Sequence, residues 1–197
     1  SGATGPAKGV VYLHRQLEAQ RDLVRQAFAV TSQDRLVAAF APFALFGPAL
    51  GITSVVPDMD VTKPGTLSAR SLARAVAAVD ATLVFAAPAA LRNIVRTSRS
   101  LSTRERESLT SVRLLLSAGA PVPADTLRQA ADLLGGCQAH TPYGMTEALP
   151  ITDVTLDEIE QTDETDGVLV GRPLPGVQLA VSPLSPDGTA DGPLTDT

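Results

Sequence analysis

The residues best placed for chemistry open the chain. Ser1-Gly2-Ala3-Thr4-Gly5-Pro6-Ala7-Lys8-Gly9-Val10 gathers small residues, two hydroxyls and one lysine into ten positions. Glycines let a backbone close on an anion and turn its N–H groups inward, hydroxyls donate to phosphate oxygens, and a lysine adds a point charge. The stretch is not a Walker A loop. That pattern places Gly before Lys and Ser or Thr after it, whereas Lys8 stands between Ala7 and Gly9. Alone, it reads as readily as a flexible linker.

A second group lies far down the chain. Tyr143-Gly144-Met145-Thr146-Glu147 puts a flat ring, a hydroxyl and a carboxylate within five residues. Its plain alternatives are a half-buried turn tyrosine and a helix cap, with Thr146 as N-cap and Glu147 against the helix dipole. His140 precedes this group by three residues. It reads either as a lining residue of an acyl or phosphate site or as a hydrogen-bonded histidine at a strand end. His14 reads as structural, near a helix start. Two further segments stand out, Ser117-Ala118-Gly119-Ala120-Pro121 and Val170-Gly171-Arg172-Pro173-Leu174-Pro175-Gly176.

The elements that must position these groups follow from periodicity. Helical spacing runs from His14 to Val30, from Leu67 to Val79 with Ser68 as cap, from Pro88 through Val95, and from Asp125 to Leu134 before Gly135-Gly136. Short apolar runs at Leu36–Phe40, Ile52–Val56, Thr82–Phe85, Val112–Leu116 and Cys137–His140 read as buried strands, and Ile151–Val154 as a further short one. Ser100–Leu109 reads as a solvated connector. The tail after Val181 reads as irregular. Alternating strands and helices predict an α/β fold, a mostly parallel sheet flanked by helices, over residues 1–182 with a tail over 183–197. In such sheets ligands sit beyond the carboxyl ends of the strands, where Ser117–Pro121 and Thr141–Glu147 both fall.

Composition narrows the partners. The 197 residues carry a net charge of −5, which argues against nucleic acid. An anionic ligand would have to be met locally, by loop amides, Lys8 and a metal ion. Lysine occurs only at 8 and 63, so a lysine inside the glycine-rich loop is notable. The single cysteine, Cys137, excludes an internal disulfide framework and reads as a buried small residue. Val37–Pro57 is uncharged and long enough to span a bilayer, but Pro42, Gly47, Pro48 and Gly51 break it; a buried strand–loop–helix–strand fits better and could line an apolar pocket. With no membrane span and no cationic-then-apolar leader, a cytoplasmic location is expected.

Taken together, the motifs resemble those of the adenylate-forming superfamily of acyl-CoA synthetases, luciferases and peptide-synthetase adenylation domains. Ser1–Val10 resembles its phosphate loop, Leu115–Pro123 its strand-to-turn segment, Tyr143–Glu147 its Y-G-x-T-E motif, and Val170–Gly176 its G-R-P-x-P-G stretch, in family order. The resemblance implies a lobe of the large N-terminal domain, with ATP and Mg²⁺ as cofactors. It implies that Ser1, Thr4, Gly5 and Lys8 hold the β- and γ-phosphates and that Gly119, Ala120 and Pro121 wall the adenine. Tyr143 would stack on the base beside Gly144, Thr146 would touch the α-phosphate, and Glu147 would hold Mg²⁺; Thr146 and Glu147 are the catalytic candidates. Phe43, Ala44, His140 and Met145 are the acyl-side candidates.

Three positions depart from the family pattern. Ala3 replaces a hydroxyl, Ala7 replaces a proline that Pro6 offsets by one residue, and Ala44 stands where many members have histidine. Ala41–Asp60, Leu116–Pro123 and His140–Pro150 resemble one subgroup, the β-lactone synthetases of bacterial long-chain olefin biosynthesis. That implies adenylation of a long-chain 2-alkyl-3-hydroxy acid and closure to a β-lactone, with Phe43–Ile52 suiting an alkyl chain. A long-chain acyl-CoA synthetase and a non-catalytic nucleotide- or acyl-binding module remain open. The family's later motifs, its ribose-binding aspartate and terminal lysine, are not in the chain, nor is the region before the loop. A middle fragment, inactive alone, completed by the N- and C-terminal parts of the same enzyme and prone to self-association through the cut surface, is therefore expected.

Overall fold

Leucine, valine and alanine dominate the three inner strands because both faces of the sheet are covered there. The computed structural model describes residues 9–162, 167–183, 185–189 and 195–196. Five parallel strands, β1 (Arg35–Ala39), β2 (Thr53–Val55), β3 (Leu83–Ala86), β4 (Leu114–Leu116) and β5 (Gln138–His140), lie in the order β2-β1-β3-β4-β5. Leu36 sits opposite Leu83, Leu83 opposite Leu114, and Leu116 opposite His140. Successive side chains serve opposite faces, as the strand period requires.

One face carries Val37, Ala39, Val84, Ala86, Leu115 and Ala139. It packs under α3 (Ala69–Val79), α4 (Pro88–Thr97), α5 (Thr103–Leu109) and α6 (Ala124–Leu133) through Leu72, Val76, Leu91, Ile94, Leu109 and Leu127. The other face carries Leu36, Ala38, Leu83, Phe85, Leu114 and Leu116, and meets Val24 of α1 (His14–Ala27) and Phe28 just after it, with Phe43 and Leu50. The uncharged stretch Val37–Pro57 folds as β1, a 3₁₀ turn (Ala41–Leu45), α2 (Phe46–Leu50) and β2. Among the described residues no helix is long and apolar enough to cross a membrane.

Strand order reverses between β1 and β3, since β2 lies on the far side of β1. The carboxyl ends at such a switch point form a crevice. Beyond β5 the chain builds a second, antiparallel sheet from β6 (Tyr143–Met145), β7 (Ala148–Asp153) and β8 (Arg172–Pro173), with α7 (Leu156–Glu160) after β7.

The structure corrects four local expectations. Ser100–Leu109 is not a connector: Ser102 accepts from the Glu105 N–H while the Glu105 carboxylate accepts from the Ser102 N–H, and this capping box starts α5. The strand expected at Ile151–Val154 begins earlier, at Ala148, because it pairs with β6. The first helix stops at Ala27, and Ala29 follows with φ +48°, so the helix does not reach Val30. The tail is not wholly irregular: β9 (Ala180–Val181) pairs antiparallel with β10 (Thr195–Asp196). Ser68 caps α3 as expected, accepting from the Ser71 N–H at 3.1 Å.

Candidate functional site

Three chain segments leave the carboxyl edge of the sheet together. After β1 comes Phe40 and the 3₁₀ turn, after β4 the segment Ser117–Pro121, and after β5 the segment Thr141–Glu147. The Ser117 N–H donates to the His140 carbonyl at 3.0 Å, so the second and third segments emerge side by side.

Gly119 turns the second segment at φ +98°, where a side chain is strained, and a Cβ there would lie 3.5 Å from the Phe40 ring. Phe40 stacks on Phe85 with centroids 5.3 Å apart, Phe43 lies 3.6 Å over Phe85, and Phe46 stacks on Phe43 at 4.7 Å. One aromatic cluster therefore links the expected adenine wall, Gly119–Pro121, to the expected acyl residues Phe43 and Ala44. Phe43 is buried within that stack, so Phe43 and its neighbours form a packed wall at the switch point.

The Tyr143–Glu147 group forms a hairpin. Tyr143–Met145 is β6, Thr146–Glu147 is the turn, and β7 returns. No helix begins here, so the capping alternative for Thr146 and Glu147 falls. Tyr143 and Met145 are 47% and 49% exposed, and the register of β6 against β7 shifts between them, from Tyr143 opposite Thr152 to Met145 opposite Ala148. Gly144, between them, faces the returning strand: a Cβ there would lie 2.8 Å from the Ala148 carbonyl oxygen. Thr146 and Glu147 are exposed. A half-open ring followed by an exposed hydroxyl and carboxylate offers a base platform and hard oxygen ligands in one turn.

His140 takes the strand-end place. Its Nδ1 lies 2.6 Å from Asp153 Oδ2, and the Phe28 ring meets it edge-on at 5.6 Å. Ser1, Thr4, Gly5 and Lys8 lie outside the described residues. The described chain downstream of them runs into α1, whose start is set by the Leu13 N–H donating to Gln16 Oε1 at 2.7 Å.

The sequence reading passed over Phe40 and Asp153. Phe40 follows β1 at the switch point, a position recoverable only with the strand order. Asp153 meets His140 across 13 residues through the hairpin register, for which the sequence holds no local mark. Ser117 is fully buried, and its hydroxyl has no partner among the described residues.

Cys137 lies partly buried at the start of the β5 segment. Burial pushes its thiol up to about 12, which fits the structural reading.

The arrangement is that of an α/β lobe of the adenylate-forming type. The family described as AMP-binding enzyme matches residues 1–189, and the chain belongs to it. It is 42% identical over 177 residues to the olefin beta-lactone synthetase of Xanthomonas campestris pv. campestris, covering 87% of this chain and 30% of that protein. It is 42% identical over 163 residues to the protein of the same description from Stenotrophomonas maltophilia, covering 82% and 28%. Its fold is similar to a malonyl-CoA ligase solved as a ternary product complex with methylmalonyl-CoA and AMP, at 28% identity and TM-score 0.69, over 94% of this chain and 39% of that one. VinN matches with TM-score 0.70 at 21% identity, over 98% and 45%, a likeness of fold. The chain thus spans about a third or less of the length of these synthetases. The parallel sheet flanked by helices, read from the sequence as part of an N-terminal domain of this superfamily, is the fold found.

Proposed function

We propose that this chain is the part of an ATP-dependent carboxylate-activating enzyme that supplies the adenine wall and the phosphate-facing hairpin, and that the whole enzyme turns a long-chain 2-alkyl-3-hydroxy acid into a β-lactone. The observation that carries the first half is the joint emergence of Gly119–Pro121 and Tyr143–Glu147 from adjacent strands, tied by the Ser117–His140 backbone bond. The second half is supported by the identity of 42% to proteins described as olefin beta-lactone synthetases, against 24–26% to four proteins described as CoA ligases or synthetases.

In this reading a carboxylate oxygen of the acid attacks the α-phosphorus of ATP and pyrophosphate leaves. The 3-hydroxyl oxygen then closes on the activated carbonyl, AMP departs and the hydroxyl proton is released. Bringing anions together requires positioning and charge neutralisation. Tyr143 and Gly119–Pro121 flank the adenine, Gly144 lets the strands close behind Tyr143, and Thr146 donates to the α-phosphate. Ser1, Thr4, Gly5 and Lys8 take the pyrophosphate side. Phe43, Ala44 and Met145 face the acyl side, with His140 behind the hairpin. Glu147 holds Mg²⁺. The cytoplasm, where ATP is supplied, is the proposed location.

The test is carboxylate-dependent exchange of labelled pyrophosphate into ATP by the complete reading frame, followed by product analysis. A β-lactone released without CoA supports the proposal; a thioester formed only with CoA replaces it with an acyl-CoA synthetase. The 197-residue chain alone is expected to show no exchange.

A further inference from the structure

His140 ends β5, Asp153 ends β7, and everything between them is the hairpin that carries Tyr143, Thr146 and Glu147. The Nδ1–Oδ2 contact of 2.6 Å therefore closes the base of that hairpin. Both side chains are largely buried, 16% and 14% exposed, and Phe28 fixes the imidazole edge-on. Asp153 Oδ1 is buried without a partner among the described residues, so the bond to His140 is the one side-chain hydrogen bond of this carboxylate there. A buried carboxylate held this sparingly is costly unless its one partner is fixed.

The backbone of Asp153 does a second job. It pairs with Arg172 of β8, and a Cβ on Gly171 would lie 1.8 Å from its carbonyl oxygen. Only glycine, at φ +80°, passes there. Asp153 thus joins the strand before the hairpin, the hairpin itself and the Gly171–Arg172 segment. The Thr141 N–H, donating to the Val154 carbonyl at 2.9 Å, closes the same junction from the backbone.

We propose that the His140–Asp153 pair is a positioning clamp: it presets the Tyr143–Glu147 hairpin against the Gly119–Pro121 turn before nucleotide arrives, and neither residue touches the reacting atoms. The role assigned to the hairpin rests on the function proposed above. The clamp itself is tested without nucleotide, by amide hydrogen exchange. In Asp153→Ala and in His140→Ala, amides of Tyr143–Thr152 exchange at least about tenfold faster, the double variant exchanges no faster than either, and Leu114–Leu116 keep their protection. In the complete enzyme, Asp153→Ala raises KM for ATP roughly tenfold to a hundredfold with a smaller change in kcat, and Asp153→Asn, which keeps an acceptor for Nδ1–H, restores KM to within about threefold. Asp153→Val, which suits a strand, supplies the same comparison where Asp153→Ala does not fold. Hairpin exchange equal to wild type, exchange that rises equally in Leu114–Leu116, or an unchanged KM for ATP overturns the clamp. An enzyme that adenylates nothing overturns the proposed function instead, and hairpin exchange then decides the clamp.

Discussion

Arg113 Nε and Nη2 each lie 2.8 Å from one carboxylate oxygen of Asp34, a bidentate pair closing a span of 79 residues. Asp34 immediately precedes β1, Arg113 immediately precedes β4, and Thr82, whose hydroxyl donates to Asp34 Oδ1 at 2.7 Å, immediately precedes β3. One carboxylate ties the amino ends of the three strands whose carboxyl ends carry or flank the candidate site. Fold support and site chemistry occupy opposite edges of the same sheet.

The pair fixes an acid limit. Burial of Asp34, 5% exposed, would push its carboxyl up, but hydrogen bonds from Arg113, the Thr31 N–H and Thr82 outweigh it and hold the group far below the usual carboxylate value of 3.8. A depressed native value means the stabilisation is complete above 3.8 and is withdrawn as pH falls from there toward the native value. Asp34→Ala is expected to lower stability by about 3 kcal/mol at pH 7, since it removes the carboxylate that Arg113, Thr82 and the Thr31 N–H share and leaves Arg113 only the Phe28 and Ala29 carbonyls. Urea denaturation at pH 7 and at pH 3 checks this. The variant's deficit narrows at the lower pH, and a deficit equal at both would remove Asp34 as its source.

Helix α5 shows how much of the fold the sequence discloses. Strands of Leu, Val and Ala were legible because both sheet faces are buried, and α3, α4 and α6 because each buries one apolar stripe. The segment Thr103–Leu109 buries little besides Leu109, so it carries no stripe and looks like a solvated link. Its signal was the cap: Ser102 followed by Glu105 three residues later. Ser102→Ala is expected to destabilise by about 1 kcal/mol and to raise amide exchange in Thr103–Leu109 ahead of α3. Exchange that rises evenly across the chain would assign the loss to something other than the cap.

The site divides in the same way. Gly119 and Tyr143–Glu147 were legible as motifs because their chemistry sits within a few adjacent residues. The Phe40–Phe85 stack and the His140–Asp153 contact were not, because each joins residues that only strand order and hairpin register bring together.

Cys137 offers a simple check on burial at the β5 edge. With its thiol pushed up to about 12 by desolvation, only about one molecule in ten thousand is a thiolate at pH 8. Iodoacetamide at that pH is expected to leave the native chain unmodified over an hour and to alkylate it fully in denaturant. Rapid labelling of the native chain would mean that the strand start opens to solvent. The sulfur would then be a usable probe rather than an inert packing group.

Glu147 separates the enzymatic reading from a binding module that merely keeps the fold. Its side chain is exposed in the hairpin turn and makes none of the ion pairs or hydrogen bonds found among the described residues. Surface substitutions away from packing leave stability nearly unchanged, so Glu147→Gln should melt with the wild type. If its carboxylate neutralises the charge that develops at the phosphates, the same variant loses roughly 10²–10³ in kcat for pyrophosphate exchange in the complete enzyme. Tyr143→Ala should instead act on binding, raising KM for ATP by roughly tenfold through loss of one aromatic face. A module that binds without reacting would show the Tyr143 effect on affinity and none from Glu147 on turnover. The pattern across the two variants therefore distinguishes catalysis from binding.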